Sequence, residues 1–116
     1  MKKPMLIGLC LFLVTSAANA DITIKEYKDA KRTGGEGWGT VQTYITGAGD
    51  GLLIANSGLR LSGKAPLYCQ PSSLIMNADN YTHLIDKQIE IEATADSQTL
   101  AVVLYFALLE TFPCPK

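Results

Sequence analysis

Apolar residues recur three and four positions apart along most of this chain, which is the spacing of amphipathic helices. A short first helix is predicted around Ile24 and Tyr27, and the glycine-rich run 33–37 ends it. A second helix is predicted to begin at Trp38, and Asn56-Ser57-Gly58 suits its C-terminal cap. The apolar face of this second helix is expected to consist of Val41, Tyr44, Ile45, Ala48, Leu52 and Ala55.

Two further helices are predicted after an irregular stretch, residues 58–72, which contains two glycines and two prolines. Asn77 suits the N-cap of the third helix. A fourth helix is predicted to begin at a cap on Asp96 or Ser97 and to run to about Phe112. The pattern therefore predicts an all-α domain of four helices. The inward positions of the third helix are expected to be Tyr81, Leu84, Ile85 and Ile89.

The fourth helix is predicted to be hydrophobic on every side, because residues 100–109 are ten consecutive apolar residues. Such a run is too short to cross a bilayer, so it favours a helix enclosed by other helices. A four-helix domain of this size does not readily enclose one helix completely. We therefore expect part of its surface to meet a second copy of the chain in a homodimer.

The second helix contains a run of glycines, Gly47, Gly49 and Gly51, each of which costs about 1 kcal/mol relative to alanine inside a helix. We expect these glycines to permit close packing against a neighbouring helix or to mark a kink. Asp50 lies among them and is a candidate buried polar anchor. The run lacks the spacing of a dinucleotide-binding motif, and no phosphate-binding lysine follows it.

The first twenty residues have the three-part pattern of a secretory signal peptide. Two lysines precede an apolar run from Met5 to Val14, and small residues follow up to Ala20. Cleavage after Ala20 is expected to leave one domain, residues 21–116, with eight basic and eleven acidic residues and a net charge of −3. This mild charge gives no reason to expect a nucleic acid or a membrane surface as partner.

The predicted export to an oxidising compartment favours one disulfide between Cys69 and Cys114, the two cysteines that remain after cleavage. Closing a loop of this length stabilises a domain by roughly 4 kcal/mol in the chain-entropy account. A free, reactive thiol pair is the alternative, but no Cys-x-x-Cys spacing supports it.

Candidate catalytic groups are few. His83 is the one histidine, so a histidine-rich zinc site is excluded, and the chain contains no Gly-x-Ser-x-Gly motif. The sequence therefore predicts a protein that is not an enzyme and needs no metal and no cofactor. The acidic positions of the third helix fit a solvated face better than a hydrolytic pair of carboxylates, and they are Asp79, Asp86, Glu90 and Glu92.

Three short motifs occur in an order that resembles a known family. They are Tyr44 to Gly51 in the second helix, Tyr68-Cys69-Gln70-Pro71 after it, and Phe112-Pro113-Cys114-Pro115 at the end. The combination resembles the Rap/Tai family of immunity proteins associated with type VI secretion, in which a Tyr-x-x-Gly-x-x-x-Gly helix precedes a Cys-Gln-Pro turn. The resemblance covers residues 38–115.

The resemblance implies a periplasmic, mainly helical and often dimeric protein that performs no catalysis. Members of this family protect a bacterium from injected peptidoglycan amidases, which are cysteine peptidases that cleave the peptides of the cell wall. Inhibition is by occlusion, because a loop or helix end of the immunity protein fills the substrate groove. The implied partner is therefore a cognate amidase effector.

The irregular stretch before Cys69 is the first candidate for the occluding segment, because it is long and is anchored at its end. The acidic face of the third helix, matched to a basic rim on the enzyme, is the second candidate. A plain connector and an ordinary solvated face are the corresponding structural interpretations. The residues of the stretch that we expect to contact the partner are Arg60, Leu61, Ser62, Gly63, Lys64 and Leu67.

A periplasmic acid-stress chaperone is the alternative function, since such proteins are also small, helical and held by one disulfide. A chaperone of this kind would expose the apolar fourth helix at acid pH and hold unfolded clients. Eleven carboxylates and two cysteines permit this function, whereas the Cys-Gln-Pro turn does not suggest it.

Overall fold

The computed structural model describes residues 21–116, and the predicted signal peptide, residues 1–20, lies outside the described residues. The described residues form no β-strand, and an isolated bridge joins Thr23 to Thr99. The prediction of an all-α domain of four helices is confirmed. The helices are α1 (Ile24–Thr33), α2 (Gly35–Leu61), α3 (Ala78–Glu92) and α4 (Leu100–Thr111).

α1 begins at a capping box that connects its first turn to the residue before it. The Glu26 amide donates to the Thr23 hydroxyl, and the Thr23 amide donates to the Glu26 carboxylate at 2.7 Å. The segment before this cap reaches the start of α4, because the Leu100 amide donates to the carbonyl oxygen of Ile22 at 2.7 Å. The N-terminal segment therefore fastens α1 to the beginning of the last helix.

The predicted N-cap of α4 is wrong. The N-cap residue is Thr99 rather than Asp96 or Ser97, and its side chain makes no capping hydrogen bond. The Asp96 carboxylate instead forms an ion pair with Lys28 of α1 at 2.7 Å. Contact with the N-terminal segment, rather than a local side-chain cap, fixes where α4 starts.

α2 is longer than predicted at both ends. It starts at Gly35, so a single residue, Gly34 with a φ of 73°, separates it from α1. It continues through Asn56-Ser57-Gly58, which were expected to end it, and stops at Leu61. The prediction of its C-terminal end is wrong. The Asn56 side chain does not cap the helix locally, because it forms hydrogen bonds with the backbone of Leu67 and Tyr68.

α3 begins as predicted, at Asn77. The Asn77 side chain accepts a hydrogen bond from the Asn80 amide at 2.9 Å, and the Asn80 side chain returns one to the Asn77 amide at 3.1 Å. This reciprocal pair satisfies two of the amides that have no partner within the helix. The start of α3 is therefore fixed locally, unlike that of α4.

The core lies where the four helices meet. Three tyrosines are among its largest fully buried side chains, namely Tyr27 of α1, Tyr81 of α3 and Tyr68 of the α2–α3 connection. Burial raises the pKa of Tyr81 to about 12, because the charged phenolate would lose its hydration in the core. The aliphatic part of the core consists of Ile24, Val41, Ile45, Ile85, Leu100, Val103, Leu104 and Leu108.

A polar contact between Tyr27 and Asp86 joins α1 to α3. The Tyr27 hydroxyl donates to the Asp86 carboxylate at 2.6 Å, and Lys31 forms an ion pair with the same carboxylate. Burial raises the pKa of Tyr27, and the neighbouring carboxylate raises it further. Asp86 was expected on a solvated acidic face, but it is half-buried and joins two helices, whereas the other three acidic residues of that face are exposed.

Gly49 is a point of close contact between α2 and α3. It is buried, and a Cβ atom added there would overlap the ring of Tyr81. Gly47 and Gly51 face open space, so the expected packing role applies to Gly49 alone. The prediction of Asp50 as a buried anchor is wrong, because this residue lies on the exposed side of α2.

α4 is apolar all round, but it is not enclosed on all sides by residues 21–116. It contributes five buried residues to the interior and leaves Val102 and Phe106 43% and 49% exposed. No helix in the described part of the chain is long and apolar enough to cross a membrane.

The contact at Gly49 gives a testable prediction about stability. Gly49→Ala is expected to lower the free energy of unfolding by about 1–3 kcal/mol, because the added methyl group overlaps the Tyr81 ring. Gly47→Ala in the same helix is the matched control. It is expected to raise the free energy of unfolding by about 0.5–1 kcal/mol, because alanine lowers the backbone entropy of the unfolded chain. Urea unfolding of the oxidised proteins measures both, and equal stabilities would contradict the close contact.

Candidate functional site

Large apolar side chains are exposed mainly on the second half of α2 and on the segment that connects it to α3. Of the nine large hydrophobic residues that are exposed within residues 21–116, six lie between residues 53 and 75. Three of them are strongly exposed, with values of 91% for Leu61, 87% for Ile75 and 72% for Ile54. These six side chains are the candidate contact residues of the chain, since exposed apolar patches mark interaction sites. We call the set the α2–α3 surface, and it consists of Leu53, Ile54, Leu61, Leu67, Leu74 and Ile75.

The end of α2 has the hydrogen bonds of a Schellman cap, which fixes the first half of the tip, residues 60–67. The Lys64 amide donates to the carbonyl oxygen of Leu59 at 2.9 Å, and the Gly63 amide donates to that of Arg60 at 3.0 Å. Gly63 has a φ of 71°, a left-handed conformation that favours glycine. The chain therefore leaves the helix in a defined direction, with Leu61 on the last turn.

Asn56 fixes the second half of the tip. Its buried side chain accepts a hydrogen bond from the Leu67 amide at 2.6 Å and donates one to the carbonyl oxygen of Tyr68 at 2.7 Å. The Asn56 side-chain amide thus pairs with one donor and one acceptor of the backbone after the tip, as the backbone of a neighbouring β-strand would. Because Asn56 lies on α2 itself, these bonds close the tip onto the helix from which it starts.

The disulfide holds the base of the tip against the end of α4. Cys69 and Cys114 are bonded, with their Cα atoms 4.8 Å apart, which confirms the predicted pairing. The Cys69 amide also donates to the carbonyl oxygen of Phe112 at 2.7 Å. Tyr68, between the two anchors, is fully buried, and burial raises the pKa of its hydroxyl. The exposed tip therefore stands on a buried and cross-linked base.

The charge of this region is of one sign. Arg60 and Lys64 are the charged residues between positions 51 and 78, and no acidic residue occurs there. Both cations are exposed, and they lie on either side of Leu61 and Gly63 in the sequence. The tip therefore combines an apolar side chain with two positive charges, which suits an acidic or polar groove on a partner.

The six residues predicted to contact a partner all lie on this tip. Arg60 and Leu61 belong to the last turn of α2 instead of an irregular loop, and Ser62 is the C-cap residue. Gly63 and Lys64 follow in the turn. Leu67 is partly exposed, beside the Asn56 anchor. The second candidate, the acidic face of α3, is less uniform than predicted because Asp86 is engaged with α1.

Sequence reasoning missed the role of Asn56, and it missed four residues of the α2–α3 surface, namely Leu53, Ile54, Leu74 and Ile75. Ile54 and Leu61 are seven positions apart and therefore share one face of a helix that extends past Asn56. That spacing is visible in the sequence once the helix is not ended at Asn56. For Ile75, no sequence signal distinguishes an exposed isoleucine from a buried one.

Comparison with known proteins gives no match, since no family model, no curated protein and no solved structure is significantly similar to the chain. The resemblance to the Rap/Tai family therefore stays a prediction that rests on its motifs. Within residues 21–116, no group of three or more histidine, cysteine, aspartate or glutamate side chains is placed to hold a metal ion.

The Asn56 anchor can be tested by mutation. Asn56→Ala is expected to lower the free energy of unfolding by about 2–4 kcal/mol, because it removes two hydrogen bonds and leaves two backbone groups without their partner. Ser57→Ala, at the neighbouring exposed position, is the matched control and is expected to cost less than about 0.5 kcal/mol. Chemical unfolding of both variants measures the difference, and a similar small loss in each would refute the anchor.

Proposed function

We propose that this chain is an exported immunity protein that binds a type VI secretion peptidoglycan amidase and occludes its active site. The observation that carries the proposal is the tip, an apolar and basic protrusion that is fixed on both sides before any partner arrives. A preformed protrusion fits a substrate groove with little loss of conformational entropy, which favours tight inhibition.

The contacts proposed for the complex follow from exposure and charge. Leu61 enters the groove, because it is the most exposed large apolar residue in the described part of the chain. Arg60 and Lys64 pair with acidic or polar groups at the rim, where they speed association and orient the complex. Inhibition by occlusion needs no nucleophile, no metal and no cofactor from this chain.

The disulfide and the motif order support the proposed location and partner class. A disulfide that joins the base of the tip to the C-terminal end is of the kind that persists in oxidising compartments such as the periplasm. The Cys-Gln-Pro turn of the motif lies directly after the tip, so the motif and the proposed contact surface belong to one structural unit. The periplasm is therefore the proposed site of action.

The proposal predicts that Leu61 dominates the affinity for the amidase. Leu61→Ala is expected to weaken the complex at least about tenfold, because an apolar anchor that fills a groove contributes a large share of binding energy. Ile91→Ala is the matched control, since Ile91 is also an exposed aliphatic residue but lies outside the α2–α3 surface. Its affinity is expected to equal that of the unchanged protein.

The measurement uses the oxidised protein at neutral pH and a cysteine peptidase co-purified with it from the secreted proteins of the source bacterium. Calorimetry gives the affinities, and hydrolysis of purified cell-wall sacculi gives the inhibition. Loss of inhibition with Leu61→Ala but not with Ile91→Ala supports the proposal. A complex that is indifferent to Leu61, or capture of unfolded proteins at acid pH alone, contradicts it.

A further inference from the structure

A cavity of about 450 Å³ lies between the last turn of α3, the α3–α4 connection and one side of α4. This volume falls within the range of small-molecule sites. Its apolar wall consists of Ala93, Ala95, Val102, Val103 and Phe106. Residues 60–67, the tip, do not line it, so the cavity is separate from the surface that the proposed function uses.

Gln88 places a buried hydrogen-bonding group in the wall of the cavity. This residue is 7% exposed, and its Nε2 atom donates to the Glu110 carboxylate at 3.2 Å. Its Oε1 atom accepts no hydrogen bond from residues 21–116. Buried acceptors in folded proteins nearly always have a partner. A donor group of a ligand held in the cavity would supply the partner that Gln88 lacks.

The cavity carries negative charge that its own lining does not neutralise. Glu92 and Glu110 line it, and no lysine, arginine or histidine does so in the described part of the chain. The C-terminus of a helix carries partial negative charge, and the last turn of α3 has no basic residue to offset it. The cavity therefore favours a cation.

The spacing of the two carboxylates indicates a ligand with a cationic group at each end. Gln88 and Glu92 are four residues apart on α3, so they share one face with their Cβ atoms about 5–6 Å apart. Because Gln88 bonds to Glu110, the Glu110 carboxylate lies roughly one helical turn from Glu92. Two ammonium groups joined by a chain of four carbons span a similar distance.

We propose that this cavity binds an aliphatic diamine, a ligand with one ammonium group at each end of a short alkyl chain. One ammonium group donates to the Glu110 carboxylate and to Oε1 of Gln88, and the other pairs with Glu92. Ammonium groups suit this site because they have three donors and no acceptor.

The apolar wall receives the alkyl chain of the diamine. Val102 and Phe106 are 43% and 49% exposed, and both line the cavity, so a bound alkyl chain removes apolar surface from water. The face of the Phe106 ring also attracts a nearby ammonium group. Binding of the diamine involves no residue of the tip, so this inference stands or falls independently of the proposed function.

Titration of the isotope-labelled, oxidised protein with 1,4-diaminobutane, followed by NMR, tests the proposal. At about 0.15 M salt, where the Debye length is about 8 Å, non-specific attraction to an acidic protein is largely screened. Saturable shifts at the residues of the cavity, with a Kd of about 1 mM or lower, are expected. Absence of saturation, or shifts spread over the whole surface, would overturn the proposal.

Butylamine, which has the same alkyl chain and a single ammonium group, separates a diamine site from a site for one lysine-like amine. It is expected to bind at least about tenfold more weakly, because one of the two carboxylates then has no partner. Equal affinities for the two amines would overturn the assignment to a diamine.

Neutral variants of the two glutamates identify the site. Glu92→Gln and Glu110→Gln are each expected to weaken binding of 1,4-diaminobutane at least about tenfold, because each removes one ion pair. Glu90→Gln is the matched control, since Glu90 is also an exposed residue in the last turn of α3 but does not line the cavity. Its Kd is expected to stay within about twofold of the unchanged protein, as for other distant sites.

Glu92→Gln and Glu90→Gln both remove a negative charge near a helix C-terminus, which favours the helix, so loss of folding does not confound the comparison. Circular dichroism of each variant checks the fold. An equal loss of affinity in the two variants would show a general attraction to acidic surface and would overturn the proposal.

Discussion

The side chain of Asn56 is the constraint on which the exposed part of this molecule depends. It pairs with the amide of Leu67 and the carbonyl group of Tyr68, and so fastens the returning backbone to the helix that precedes it. The disulfide from Cys69 then holds the same segment to the end of α4. Between these two fixed points and the cap at Gly63, residues 60–67 have little freedom left.

The residues that stabilise the tip are different from the residues that the tip exposes to solvent. At the base, the buried Asn56 side chain provides the hydrogen bonds and the buried Tyr68 side chain provides the packing. The strongly exposed Leu61 contributes almost nothing to the core. A large apolar residue held in water is unfavourable unless something covers it at least part of the time. In the complex proposed above, the partner protein covers this residue.

Local sequence signals were sufficient where the structure is decided locally. Asn77 caps α3 through a partner three residues away. The disulfide joins residues far apart in the sequence, but it was predictable because Cys69 and Cys114 are the two cysteines among residues 21–116. Local sequence signals failed where a contact between residues far apart in the sequence determines the end of a helix. Asn56 is a residue type that often caps helices. Its side chain instead forms hydrogen bonds with backbone groups eleven and twelve residues away, and α2 continues past it. Thr99 starts α4 through contact with the N-terminal segment.

The sequence predicted where along the chain the candidate site lies, but it did not predict the backbone conformation of the site. A basic and apolar stretch before Cys69 indicated where a partner would bind, and the six predicted residues do lie together on the tip. The sequence could not show that Leu61 ends a helix or that Gly63 adopts a left-handed conformation just after its C-cap, since both depend on the true end of α2. The described residues offer no packing reason for Gly47 and Gly51.

The central claim is that the tip is already ordered before any partner binds, and amide hydrogen exchange at Leu67 tests it most directly. The Leu67 amide donates to the buried side chain of Asn56, so in the free, oxidised protein it is expected to exchange as slowly as amides of the helical core such as that of Ile45. Exchange of the Leu67 amide at the rate of an unprotected chain would contradict the claim, because the tip would then be a flexible connector.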